Sequence, residues 1–291
     1  MDTKHNLPSK VMYCKRCVMS NQRPASHREL SKKTSKDTPV SSFNDDGICD
    51  ACRYYETKAT IDWNQRAKEL EVVCDRYRKK DGSYDVLVPG SGGKDSILVS
   101  HMLKEKYGMN PLIVTWAPHE YTDIGLKNLR AWQSVGHDHV LFTPDPVVHS
   151  KLTRLAFLNL INPFQPFIIG QKILGVRMAQ KFGIKFVMYG ENGAEAHNDI
   201  EATKTPLMNP QYYTCNSYNE KMYFGGVELK DLIKEGIDIS DMQAYLPLLI
   251  DEVVGSNLEV HFMSYYTNWS PQRSYYYAKD VCDFQSNPFG R

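Results

Sequence analysis

The chain reads as a parallel-sheet α/β domain behind a small cysteine-rich N-terminal module. Three observations predict this. Short runs of Val, Ile, Leu and Phe alternate with longer stretches of helical period between residues 84 and 189. Four of the seven cysteines fall in two Cys-x-x-Cys pairs near the start. The first apolar run ends in a glycine-rich turn and re-emerges as a helix. Short apolar strands separated by helices are buried on both faces, which is the pattern of a parallel sheet. We place the module at residues 1–60 and the α/β domain at 61–291.

The pairs are Cys14-Lys15-Arg16-Cys17 and Cys49-Asp50-Ala51-Cys52. Two intervening residues let both thiolates of a pair turn toward one point about 2.3 Å away, so two pairs enclose one tetrahedral zinc. With all four ligands from protein, no coordination position is open, and the zinc is structural. A redox dithiol and disulfides are the alternatives; a reducing compartment disfavours disulfides, and a redox motif would not come in two copies. Metal binding would contribute on the order of 10 kcal/mol to a segment too polar to fold otherwise. Cys74, Cys215 and Cys282 are isolated and read as packed residues. Residues 21–46, rich in Ser, Lys, Pro and Asp, read as an extended loop with a solvated basic face. Helical spacing of Trp63, Ala67, Leu70, Val73, Cys74 and Tyr77 predicts a connecting helix over 61–80, with Asp62 as N-cap.

The stretch Tyr-Asp-Val-Leu-Val-Pro-Gly-Ser-Gly-Gly-Lys-Asp-Ser, residues 84–96, carries most of the functional information. A strand over 84–88 meets a turn in which Gly90, Gly92 and Gly93 remove the Cβ atoms that would hold a ligand away. A helix from Asp95 to about Tyr107 then points unpaired N–H groups and its positive dipole end at the turn. Such a turn binds anions, phosphate above all. Further strands are predicted over 111–116, 139–142 and 185–189, with helices over 122–135, 147–159 and 166–182. Ligands gather at the carboxyl ends of parallel strands. Three ends matter: Pro89 to Ser96, Trp116 to Glu120, and Gly190-Glu191-Asn192-Gly193-Ala194-Glu195.

Beyond residue 200 the chain is aromatic and polar. Residues 229–234 and 242–254 read as helices, and 259–265 as a strand ending in the crevice at the strands' carboxyl ends. Ser270-Pro271 is an N-cap followed by a helix-starting proline, so 272–280 reads as a helix. Tyr275, Tyr276 and Tyr277 on it suit packing better than ligand contact. Arg177 would reach a substrate phosphate or form a salt bridge.

With 291 residues and 42% hydrophobic content the chain suits one large or two modest domains. No apolar run approaches the roughly 18 residues needed to span a bilayer, and Met-Asp-Thr-Lys-His is no signal segment, so a cytoplasmic enzyme without membrane contact is expected. A formal net charge of +1 lacks the broad positive field of a protein that neutralises many phosphates, which disfavours a nucleic-acid partner.

The turn is not a Walker loop, because Lys94 is followed by Asp95 and the glycines bunch too closely; nor does it hold the Gly-x-Gly-x-x-Gly spacing of a Rossmann fingerprint. Ser91-Gly92-Gly93-Lys94-Asp95-Ser96 resembles the Ser-Gly-Gly-x-Asp-Ser motif of the PP-loop ATP pyrophosphatases, and matches it completely. The resemblance implies the adenine nucleotide alpha-hydrolase-like fold, with ATP split into AMP and pyrophosphate as a substrate oxygen is adenylated. It implies that Pro89, Gly90, Ser91, Gly92, Gly93, Lys94 and Ser96 line the phosphate site, with magnesium on Asp95 and Glu191. Trp116 and Ala117 would border adenine, although Trp116 suits a core aromatic equally well. Gly190 would line the same nucleotide site, and Asn192 would contact ribose or substrate. Lys94, Asp95 and Glu191 would form the catalytic set. Glu195 and His197 suit a solvent-facing helix start equally well.

The two cysteine pairs, Tyr189-Gly-Glu-Asn-Gly-Ala-Glu195, His261-Phe-Met-Ser-Tyr-Tyr266, Asn268-Trp-Ser-Pro-Gln272 and Phe284-Gln-Ser-Asn-Pro288 together resemble the N-acetyl sugar amidotransferases of surface polysaccharide and flagellin-glycan biosynthesis. That likeness spans nearly the whole chain, and members of that family usually continue past the point where Arg291 stands. It implies conversion of an N-acetyl group on a bacterial, nucleotide-linked sugar into an acetamidino group, with ATP, Mg2+ and ammonia consumed or required and structural Zn2+ retained; Tyr265, Tyr266, Asn268 and Trp269 would then stack on and hydrogen-bond that sugar. The chain shows neither a Gly-x-Cys-x-Gly turn nor a Cys after Met1, so a separate glutaminase subunit is expected to supply ammonia, with the module or its loop as a docking surface. A homo-oligomer is compatible with the sequence. The alternatives are a tRNA-thiolating PP-loop enzyme, against which the unpaired Cys74, Cys215 and Cys282 argue, and a nonenzymatic nucleotide sensor.

Overall fold

The computed structural model describes residues 8–22, 29–31, 41–190 and 201–288. Its centre is a five-stranded, all-parallel sheet made of β1 (Val86–Pro89), β2 (Pro111–Trp116), β3 (Asp138–Phe142), β4 (Phe186–Tyr189) and β9 (Glu259–Phe262), in the order β3-β2-β1-β4-β9. Register runs Val86 with Pro111, Leu112 with Asp138, Leu87 with Val187 and Val187 with Val260. Alternate side chains leave opposite faces, as a pleated strand requires. Leu87, Leu112, Val114, Val187 and Val260 join one core cluster; Val86, Val88, Ile113, Phe186 and Met188 join the other.

Helices cover both faces. α2 (Trp63–Tyr77), α3 (Lys94–Glu105), α4 (Asp123–Gln133) and α8 (Pro271–Cys282) contribute to the second cluster. α5 (Pro146–Leu160) and α6 (Gln165–Lys181) contribute to the first. Local sequence explains the helix starts. Asp62 accepts from the Asn64 and Gln65 N–H groups, Thr122 from Gly125, and Asp145 from Val147 and Val148 with Pro146 in the first turn. Ser270 occupies the N-cap of α8 but its side chain makes no capping bond, contrary to expectation.

Between β4 and β9 the described residues form the small strands β5 (Thr214–Cys215), β6 (Tyr223–Phe224), β7 (Val227–Glu228) and β8 (Leu248–Leu249), with helix α7 (Ile250–Ser256). The segment expected as one helix over 242–254 is instead a 3-10 turn at Ile239–Met242, then β8, then α7. Pro247 explains the break: it cannot donate an N–H and pushes Leu246 out of helical geometry, and Leu248 pairs with Thr214. Residues 229–234 form a 3-10 helix, Leu229–Glu235. The strand expected over 259–265 stops at Phe262, because the Ser264 N–H donates to the Gly190 carbonyl at 3.0 Å and Met263–Tyr265 turn as 3-10. Leu207 bridges His261 antiparallel, partly covering the outer edge of β9.

The loop expected to lie solvated between the cysteine pairs is anchored at its middle. Leu30 is 2% exposed within the first core cluster, its carbonyl accepts from Tyr223 N–H at 2.9 Å, and Glu29 Oε1 pairs with Lys172 Nζ at 2.7 Å. A polar segment with one leucine carries no period that would reveal such an anchor. Among the described residues no helix is long and apolar enough to cross a membrane.

Candidate functional site

The strand order reverses direction at β1: α3 leads to β2 on one side, and the chain later returns to β4 on the other. A crevice opens at the carboxyl ends of strands flanking such a switch. The turn Gly90–Gly93 sits there. A Cβ on Gly90 would lie 2.3 Å from Ser96 Cβ and 2.8 Å from the Trp132 ring; Gly92 has φ +81° with the Leu129 backbone 2.7 Å from where a Cβ would stand. Those two glycines let the turn pack flat against α3 and α4. Gly93 differs, because among the described residues a Cβ there would meet only Ser91 Oγ, at 4.0 Å. It is the N-cap of α3 and has no side chain to cap it. The first intrahelical bond is Ile97 N–H to Gly93 O at 3.2 Å, so the N–H groups of Lys94, Asp95 and Ser96 have no helical carbonyl to meet. Three donors and the dipole thus face a side left open among the described residues, the arrangement that holds an anion. Ser96 is 8% exposed and its hydroxyl donates to Gly93 O at 2.9 Å, which leaves its N–H as the group better placed for phosphate.

Asp95 is held from three directions. Lys94 Nζ lies 2.5 Å from Oδ2, Trp269 Nε1 donates to Oδ1 at 2.8 Å, and Gly190 at the end of β4 abuts its Cβ. A carboxylate has about four lone-pair sites, so two remain for a cation, and the donor chemistry fits magnesium. Glu191, Asn192, Glu195 and His197 lie outside the described residues. Sequence reading put Trp269 against a sugar; the structure puts it on Asp95, 174 positions away in the chain. Lys58, missed altogether, donates from Nζ to the Trp269 carbonyl at 3.1 Å and stands 5.4 Å over its ring. No local pattern announces either contact, since both join distant segments.

Of the remaining expected residues, Trp116 is 2% exposed and its indole packs against Phe142, His149 and Tyr245. The ring is therefore a core aromatic, and Ala117 beside it is buried with its N–H on the Phe142 carbonyl. Tyr266 is buried with its hydroxyl 2.7 Å from His261 Nδ1, which removes it from any sugar surface. Arg66 covers one face of Tyr265 at 3.7 Å, whereas Asn268 is exposed. Arg177 Nη2 donates to the Leu246 carbonyl at 2.6 Å, so the guanidinium pins the 239–248 segment. Tyr277 OH bonds His101 and Tyr275 packs edge-on against Phe284, as packing residues do. Asn128 on α4 exchanges two hydrogen bonds with the Gln285 backbone, which ties the C-terminal tail alongside the glycine turn.

The four N-terminal cysteines converge, their sulfurs all within 4.8 Å of one another. Cys14 to Cys52 is 3.9 Å and Cys17 to Cys49 is 3.7 Å, against the edge of about 3.8 Å that a tetrahedron with 2.3 Å zinc–sulfur bonds requires. N–H groups of Arg16 and Cys49 point at Cys14 Sγ, and that of Met19 at Cys17 Sγ. Burial pushes the Cys14 thiol up, but N–H donors from Cys49, Arg16 and Cys17 outweigh it and bring it down to about 6; burial pushes Cys49 and Cys52 up. Sulfur that collects N–H donors is stabilised as thiolate, the form a metal needs. The donor set fits zinc. Cys49 is the N-cap of α1 (Asp50–Thr57), which a short 3-10 turn at Lys58–Thr60 extends, so the cluster and Lys58 belong to one continuous piece of helix. Among the described residues no other group of three or more His, Cys, Asp or Glu side chains converges this way.

No family model matches the chain. Over 81 residues it is 35% identical to an uncharacterised protein of Methanocaldococcus jannaschii, a match covering 28% of this chain and only 29% of that relative's length. Among solved structures it is similar to the NH3-dependent NAD synthetase of Campylobacter jejuni in complex with nitrate, at TM-score 0.36 and 16% identity over 47% of this chain and 59% of that one. A predicted subunit of tRNA methyltransferase from M. jannaschii gives TM-score 0.33 and 14% identity over 67% and 73% of the two chains. NMN synthetase from Francisella tularensis gives 0.33 and 11% over 79% and 90%. Overlaps at this level assign no role to any residue here.

Proposed function

We propose that this chain is an ATP pyrophosphatase of the PP-loop class that adenylates the amide oxygen of an N-acetylated sugar and exchanges that oxygen for the nitrogen of ammonia. The observation that carries the reading is the Ser91–Ser96 turn, complete in sequence, placed at the switch point of a parallel sheet with Gly93 open and three helix-start N–H groups facing outward. The sugar and the amidine product rest on the sequence resemblance of the 189–195, 261–266, 268–272 and 284–288 segments.

The chemistry suits these parts. An acetamide carbonyl is a poor electrophile and its oxygen a poor leaving group, so replacing the oxygen requires activation. The amide oxygen attacks the α-phosphorus, the bond to pyrophosphate breaks, and the amide N–H proton is lost. Ammonia adds to the imidoyl carbon, the carbon–oxygen bond breaks, and AMP leaves with the original oxygen. The N–H groups of residues 94–96 hold the departing pyrophosphate, and Lys94 leaves Asp95 to lie along it. Asp95 and Glu191 would hold Mg2+, which supplies charge neutralisation on the phosphates when bound. No protein nucleophile is needed. Ammonia would come from a separate glutaminase subunit.

Product analysis tests this. Incubation with ATP, Mg2+, ammonium and a panel of nucleotide-linked N-acetyl sugars should yield pyrophosphate and a sugar lighter by about one dalton. Turnover of a tRNA in place of every sugar would favour the thiolating alternative, and nucleotide binding with no turnover would favour the sensor.

A further inference from the structure

We infer that Trp269 is a positioning residue for the Asp95 carboxylate, and that the cysteine module sets Trp269 through Lys58. The inference deepens the reading of Asp95 as the cation-holding residue of the turn and rests on it. Three observations carry it. The indole N–H, a donor with no acceptor role, meets Oδ1 at 2.8 Å and so fixes the rotation of the carboxylate. The other oxygen is met by Lys94, a flexible side chain 29% exposed and free to swing toward a phosphate. Once it swings, Oδ2 turns to the cation while Oδ1 stays on the indole. Finally, Trp269 is itself held by Lys58, whose Nζ donates to its carbonyl at 3.1 Å and lies 5.4 Å over its ring and 5.1 Å over the Tyr54 ring. Tyr54 and Lys58 lie on the helix and turn that begin at Cys49, so the orientation of Asp95 depends on a segment anchored by the four sulfurs.

The test uses the full chain with Mn2+ and the non-cleavable α,β-methylene analogue of ATP, following Mn2+ by electron paramagnetic resonance. Trp269→Phe keeps the ring and deletes the donor; Lys58→Met keeps the stem and deletes the charge. The expected result is Mn2+ affinity weakened about tenfold in W269F and about threefold in K58M, with analogue affinity in the absence of metal within about twofold of wild type. A purely structural role would lower both affinities together. Wild-type-like Mn2+ binding in W269F overturns the inference alone, and should W269F not fold, wild-type-like binding in K58M does the same. Absence of metal-dependent nucleotide binding in the wild type overturns the reading of Asp95 and the inference with it.

Discussion

Gly190 approaches Asp95 so closely that a Cβ on the glycine would stand 2.9 Å from the aspartate's own Cβ. The end of β4 and the first turn of α3 are thus packed against each other through a missing side chain, and the two sides of the crevice are set by one contact. Gly190→Ala is expected to displace Asp95 by a few tenths of an ångström and to cost about tenfold or more in ATP turnover. Steady-state kinetics checks this, with thermal unfolding to show that the fold survives. Unchanged turnover would mean that the contact has no bearing on the site.

Lys94 and Asp95 should separate from their neighbours by the size of their effect. Lys94→Ala removes the ammonium that stands beside Asp95 and, on the proposed function, is expected to lower kcat about a hundredfold; Asp95→Asn should cost at least as much and raise the Mg2+ requirement. Ser91→Ala, at an exposed position whose side chain leaves the N–H groups in place, should stay within about threefold. Exchange of labelled pyrophosphate into ATP measures all three.

The cysteine cluster is expected to hold one zinc per chain. Cys52→Ser should weaken metal retention strongly and lower thermal stability, since structural zinc binding is worth on the order of 10 kcal/mol to small modules. Metal analysis of the purified chain, before and after prolonged chelation, checks the stoichiometry. A chain equally stable and metal-free would show that packing at Leu30 and Tyr54 suffices.

His149 gives stability a pH dependence. It is 2% exposed, and burial, with a smaller contribution from His119, holds it down to about 4. His137 is likewise held to about 4 by burial, Lys104 and His101. The unfolded chain protonates these groups near 6.5, so between pH 6.5 and 4 it binds more protons than the native state. Their contribution is full above 6.5 and is lost as pH falls through about 4. His149→Gln should lower the slope of unfolding free energy against pH in that window by up to about one proton. Identical slopes for variant and wild type would contradict the burial argument.

Much of the fold was legible because its signals are local. The glycines of the first turn, the apolar strands and the cap at Asp62 each announce themselves within a few residues, and the structure places them as expected. The convergence of four cysteines was legible for the same reason: their spacing is itself the geometry. What sequence could not show are pairings between distant segments. Trp269 reaching Asp95, Lys58 reaching Trp269 and Leu30 entering the core all depend on how the domain closes. The helix expected over 242–254 failed for a local reason, Pro247, that the apolar pattern around it masked.

Adenylation of an amide oxygen leaves a trace in one oxygen atom. An N-acetylated nucleotide sugar carrying heavy oxygen in its acetyl carbonyl is turned over with ATP and ammonium, and the nucleotide product is examined by mass spectrometry. Attack of the amide oxygen on the α-phosphorus carries the label into the phosphate of AMP, with pyrophosphate released unlabelled. Unlabelled AMP, or orthophosphate with ADP in its place, would contradict it.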